Sequence, residues 1–127
     1  MVVTGGCLCG RVRYRAEGEP LFAVLCHCRD CQRASGAGHV PVLGMAREGF
    51  GVEGATVAIR SPGGSGHMAV RNRCAACGSL LFGTPEGFPE MATIYVGTLD
   101  DPSIFRPTAS VNTGAVAPWD RVIGAAP

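Results

Sequence analysis

The stretch Cys7-Leu8-Cys9-Gly10-Arg11-Val12-Arg13-Tyr14-Arg15-Ala16 joins a C-x-C pair to a strict alternation of arginines with Val12, Tyr14 and Ala16. Alternation with period two places Val12, Tyr14 and Ala16 on one face of a strand and the arginines on the other, solvated face. The same pattern recurs outward along the chain. Short apolar or alternating runs occupy Leu21 to Cys26, Val40 to Leu43, Thr56 to Ile59, Met68 to Val70, Leu80 to Phe82 and Met91 to Val96. Gly18-Glu19-Pro20 and Ser61-Pro62-Gly63-Gly64 punctuate them. Many short strands separated by turn residues predict a mainly β, mainly antiparallel domain. The one helical expectation is a turn or two around Arg29 to Ala34.

The C-x-C pair has company. Seven cysteines fall into three clusters, Cys7 and Cys9, then Cys26, Cys28 and Cys31, then Cys74 and Cys77. An odd number at such short spacings argues against a disulfide framework and for thiolates gathered on metal. Zinc takes thiolates at about 2.3 Å in a tetrahedron, four in a closed site and three where one position stays open. Seven sulfurs divide naturally in that way. Gly78, after Cys77, frees the backbone to turn so that amides face the sulfurs.

Two pairings fit the spacing. Cys7 and Cys9 can complete the Cys74–Cys77 pair, leaving Cys26, Cys28 and Cys31 as a local triplet. Alternatively Cys28 and Cys31 can complete it, stranding Cys7, Cys9 and Cys26. The first keeps both local clusters intact and is favoured on spacing. An iron–sulfur cluster is the competing occupant of such ligands.

Composition narrows the function classes. The chain has 127 residues, 46% hydrophobic and 17% charged, which predicts one folded domain over residues 1–127. Eleven basic against ten acidic residues leave a net charge of +1, without the clustered basic face that nucleic acid requires. Every basic residue is an arginine, as expected of a GC-rich, bacterial source. No apolar run approaches the roughly 20 residues of a membrane span. The first residues lack the basic and apolar regions of a leader, so a cytoplasmic protein is expected.

Three segments together resemble the glutathione-dependent formaldehyde-activating enzyme (GFA) family, which shares its domain with centromere protein V. They are Gly5-Gly6-Cys7-Leu8-Cys9-Gly10-Arg11-Val12-Arg13-Tyr14, Cys26-His27-Cys28-Arg29-Asp30-Cys31-Gln32-Arg33-Ala34-Ser35-Gly36-Ala37, and Cys74-Ala75-Ala76-Cys77-Gly78-Ser79. Gly97-Thr98-Leu99-Asp100-Asp101-Pro102 and Pro118-Trp119 also stand where that family carries a turn and a proline–tryptophan pair. Arg73 departs from the pattern, since the family usually has an aromatic just before the C-x-x-C. His39 also stands where the family is often aromatic or aliphatic.

The resemblance implies a zinc-organised fold of two antiparallel sheets and two zinc ions per chain. It assigns Cys7, Cys9, Cys74 and Cys77 to a structural zinc, and Cys26, Cys28 and Cys31 to a labile catalytic one. The implied activity is that of a carbon–sulfur lyase on S-hydroxymethylglutathione or a related thiol–aldehyde adduct, with a small thiol such as glutathione as partner. A non-catalytic, zinc-stabilised binding module is the alternative. Three thiolates on one zinc(II) leave a net charge of minus one, a weak Lewis acid whose fourth position suits a soft sulfur ligand.

Other residues carry lesser expectations. His27, between Cys26 and Cys28 in an extended segment, points away from the sulfurs. His39 and His67 read as ordinary loop or strand residues. Gln32, Arg33 and Ser35 serve either substrate recognition or capping. Trp119 reads as a core or edge-packing aromatic.

Overall fold

A computed structural model describes residues 1–120; residues 121–127, the end of the expected domain, lie outside the described residues. Among the described residues ten strands form two sheets, joined by one short α-helix and several 3-10 turns. The strands are β1 (Val2–Gly6), β2 (Arg13–Glu17), β3 (Phe22–Cys26), β4 (Val40–Ala46), β5 (Phe50–Glu53), β6 (Thr56–Pro62), β7 (Met68–Cys74), β8 (Leu80–Gly83), β9 (Met91–Tyr95) and β10 (Ala109–Val111), and the helix is α1 (Arg29–Ser35). The small sheet has the order β1-β2-β5 and the large one β10-β3-β4-β9-β8-β7-β6.

Alternation in the sequence becomes burial. Val12, Tyr14 and Ala16 are buried while Arg11, Arg13 and Arg15 are exposed. Tyr14 and Ala16 join Val3 from the small sheet and Leu43, Met45, Leu81, Phe82 and Ile94 from the large one in a single apolar cluster. Phe50 links the layers, its ring centroid 5.9 Å from Tyr14 and 4.9 Å from Phe82. Burying such side chains stabilises by roughly 1.5–3 kcal/mol each, so this cluster is the main adhesive between the sheets.

Among the described residues all strand pairs but one are antiparallel. The exception is β10, which lies parallel to β3 in the register Ala109↔Val24, Ser110↔Leu25 and Val111↔Cys26. The pairing is thus mainly antiparallel, as the alternation predicts, and at this one edge a late segment returns beside the strand that carries Cys26. Among the described residues no helix is long and apolar enough to cross a membrane.

Candidate metal centre

Cys7 and Cys9 sit in the loop between β1 and β2, and Cys74 ends β7 with Cys77 in the turn that follows. The two turns come from different sheets, yet the four sulfurs lie within 4.8 Å of one another. Cys7 Sγ is 3.5 Å from Cys9 Sγ, and Cys9 Sγ is 3.8 Å from Cys74 Sγ. A tetrahedron with bonds of about 2.3 Å has edges of about 3.8 Å, so the spacing fits zinc.

Donors also face the sulfurs. Val12 N–H donates to Cys7 Sγ at 3.3 Å, and the N–H groups of Ala76 and Cys77 donate to Cys74 Sγ, each at 3.4 Å. The turn closes through Gly78 N–H to Cys74 O at 3.0 Å, with Gly78 at φ 77, a left-handed conformation that favours glycine. Ser79 spans the two turns: its Oγ is 3.2 Å from Cys77 Sγ and accepts from Leu8 N–H at 3.0 Å.

The second cluster is local. Cys26 ends β3, Cys28 caps α1 and Cys31 lies in its first turn, with Cys31 N–H donating to Cys28 Sγ at 3.2 Å. Cys31 Sγ is 3.4 Å from Cys26 Sγ, which also accepts from Asn112 Nδ2 at 3.4 Å. Three sulfurs converge, and no fourth His, Cys, Asp or Glu among the described residues joins them.

The sulfurs do not ionise independently. Ser79, through its hydroxyl and its N–H, holds Cys77 down at about 5. For Cys9 the Arg11 N–H favours the thiolate, but desolvation and the Cys7 and Cys77 thiols outweigh it and push Cys9 up to about 11. In the triplet, the Cys31 thiol holds Cys26 down at about 5 and is itself driven up by Cys26. Within each cluster, then, one thiolate keeps a neighbour protonated. A divalent cation removes that conflict and lets every sulfur ionise, so the donor chemistry fits zinc in both clusters.

A cleft of about 680 Å³ lies on the small sheet and holds no sulfur. The one of chemical interest, about 270 Å³, is lined by Cys28, with Arg71, Tyr95, His67, Phe88 and Met91 among its walls. Arg71 projects from β7. Burial works against its charge, but Tyr95 and the thiols of Cys31 and Cys28 more than compensate and raise its pKa. Its Nη1 donates to Ser61 Oγ at 3.2 Å, while its Nε is buried without a partner.

The lesser sequence readings divide. Gln32 is buried and donates to His27 O and Ala115 O, both at 2.8 Å, and Ser35 Oγ donates to Cys31 O at 2.7 Å, so both serve the backbone. Arg33 lines a shallow groove with Arg71 and Arg73. Arg73 donates to Ala34 O at 2.5 Å and to Gly78 O at 3.0 Å, bridging α1 to the turn of the four-sulfur cluster. Trp119 is 56% exposed, which makes it edge-packing and not core. His67 lines the cleft, and His39 stands 2.8 Å from Asp120. Arg71 and Tyr95 were missed as site residues. Their only sequence signal is a charge just after one predicted strand and a phenol inside another, which local pattern cannot place in one cleft.

The chain matches the family model described as glutathione-dependent formaldehyde-activating enzyme over residues 2–115. No curated protein matches it. The fold is similar to the crystal structure of a Rhodobacter sphaeroides protein, with a TM-score of 0.61 and 20% identity, over 85% of this chain and 99% of that one.

Proposed function

We propose, for a chain that belongs to the glutathione-dependent formaldehyde-activating enzyme family, a zinc-dependent carbon–sulfur lyase-type reaction at Cys26, Cys28 and Cys31. The substrate is the adduct of glutathione, or of another small thiol, with formaldehyde or a related aldehyde. The observation that carries this reading is the three-sulfur cluster opening through Cys28 into a cleft, with no fourth side-chain ligand among the described residues. A zinc ion held there supplies the positive charge that keeps a substrate thiol deprotonated near neutral pH.

The surrounding residues divide the remaining work. Adduct formation joins sulfur to carbon, moves the carbonyl pair onto oxygen and adds a proton to that oxygen; release reverses each change. Tyr95, raised by burial, keeps its phenolic proton and faces the cleft, placed to share that proton with the adduct oxygen. Arg71 Nε, buried and unpartnered, offers a charge-assisted hydrogen bond to a substrate carboxylate or hydroxyl oxygen. Phe88 and Met91 give the same cleft an apolar wall. Seven free cysteines suit a reducing, cytoplasmic setting.

The test uses the full chain with cobalt in place of zinc. Glutathione is expected to alter the thiolate-to-cobalt absorption bands, and the zinc protein to accelerate exchange between free formaldehyde and its glutathione adduct followed by NMR. Unchanged bands would argue against sulfur coordination, and unaccelerated exchange against the reaction.

A further inference from the structure

Behind the three thiols lies a second convergence that the proposed reaction does not use. His27 is the alternate residue of the extended Cys26–Cys28 segment, and its ring groups with His39, just before β4, and with Asp120. We propose that His27, His39 and Asp120 form a separate, sulfur-free site for a divalent first-row metal ion of the zinc class.

Geometry is the first support. One nitrogen from each ring and one carboxylate oxygen lie within 4.8 Å of one another. His27 Nδ1 is 3.4 Å from Asp120 Oδ2, close to the roughly 3.3–3.4 Å edge of a tetrahedron with bonds of 2.0–2.1 Å. His39 Nδ1 is 2.8 Å from the same oxygen, a hydrogen bond whose partners would part by about half an ångström to reach one ion. The imidazole centroids stand 5.0 Å apart with the rings tilted by 44°, so the rings flank a common space instead of stacking face to face.

Unsatisfied chemistry is the second. His27 is only 7% exposed, and its Nδ1 is buried with no hydrogen-bond partner. Buried ring nitrogens without partners are uncommon, and one aimed at a carboxylate and a second imidazole invites a ligand. The Asp120 side chain is 15% exposed and meets only these two histidines among the ion pairs of the described residues. Among the described residues no arginine pairs with it, and a dication would offset its charge.

The framework is braced. Gln32 ties His27 O to Ala115 O, fixing the thiol-bearing segment to the chain that leads to Asp120. The Trp119 ring lies so close to Gly38 that a Cβ there would come within 2.5 Å of it, which holds the Asp120 and His39 backbones together. Two imidazoles and one carboxylate favour zinc, cobalt or nickel over calcium or magnesium, which prefer all-oxygen shells. The ion pins the Ala115–Asp120 segment onto the reverse side of the thiol cluster.

Cadmium-113 NMR on the unmodified full chain tests this without any substitution. The expected spectrum holds one resonance in the nitrogen–oxygen range, far from the sulfur-rich resonances of the cysteine clusters. Its absence at saturating cadmium overturns the site. As a second arm, His39→Gln and Asp120→Asn are each expected to lose one equivalent of bound cobalt while the thiolate-to-cobalt bands keep their intensity. Metal content equal to that of the parent protein in both variants also overturns it. The sulfur-rich signals report the cysteine clusters separately, so failure of this site is distinguishable from failure of the proposed reaction centre.

Discussion

The two cysteine clusters use the same side chain and have opposite reach. Cys9 and Cys74 are separated by 65 residues and belong to turns of different sheets, so a metal on the four sulfurs fastens distant parts of the chain. Cys26 and Cys31 are five residues apart and lie at one strand–helix junction, so a metal there fastens almost nothing the backbone does not already hold. Loop closure explains the contrast: joining distant segments removes much conformational entropy from the unfolded chain, while joining neighbours removes little. Sequence separation, more than ligand type, is therefore what supports the proposed division, with stability at the four-sulfur cluster and chemistry at the three-sulfur one.

The sharpest way to break this comparison is to remove one sulfur from each side. Cys74→Ala is expected to abolish the cooperative melt, because structural zinc contributes about 10–16 kcal/mol of apparent binding free energy, as much as a domain's whole stability. Cys28→Ala is expected to keep a folded circular dichroism spectrum and lose at least about a hundredfold in activity, since even outer partners of a metal ligand are worth about 10–100-fold. The opposite outcome, an unfolded Cys28→Ala and a folded Cys74→Ala, would exchange the two roles.

Smaller effects sharpen the same contrast. Arg71→Gln leaves both clusters intact and removes a charge-assisted hydrogen bond worth about 1.5–3 kcal/mol, so kcat/KM should fall about 10- to 150-fold at unchanged metal content. The smallest effect belongs to the four-sulfur side, where Arg13 donates to both oxygens of Asp100 and Thr4 Oγ1 donates at 2.7 Å. The Arg13 guanidinium, helped by Thr4, holds Asp100 down at about 2 from an ordinary 3.8. The folded state thus binds this proton less readily than the unfolded one; the stabilisation is full above about 4 and lost as pH falls through about 2. Both side chains are about half exposed, so Asp100→Asn should lower Tm by only about 2 °C at pH 7. That difference should shrink between pH 5 and pH 3.

Much of this was legible in the residues. The Arg11–Ala16 alternation identified a buried face, and the three cysteine spacings pointed to the grouping the structure brings together. The short helix after Cys28 followed from its local sequence. What escaped depends on contacts between remote segments. The strand β10 is three residues long and takes its place from pairing with β3, which no local period announces. Arg71, Tyr95 and Asp120 look like ordinary strand or tail residues until the fold brings the first two beside the thiols and Asp120 beside His27 and His39. Arg73 stood out as an unusual residue before Cys74, but its bond to Ala34 O, 39 positions away, required the fold.

The parallel strand β10 has a consequence for how the protein is made. Cys26 emerges from the ribosome 86 residues ahead of Asn112, which later donates to its sulfur. At translation rates of about 5–20 residues per second, the nascent thiols wait roughly 4–17 s for that cover. During those seconds the three thiols stand without the donor that later covers Cys26.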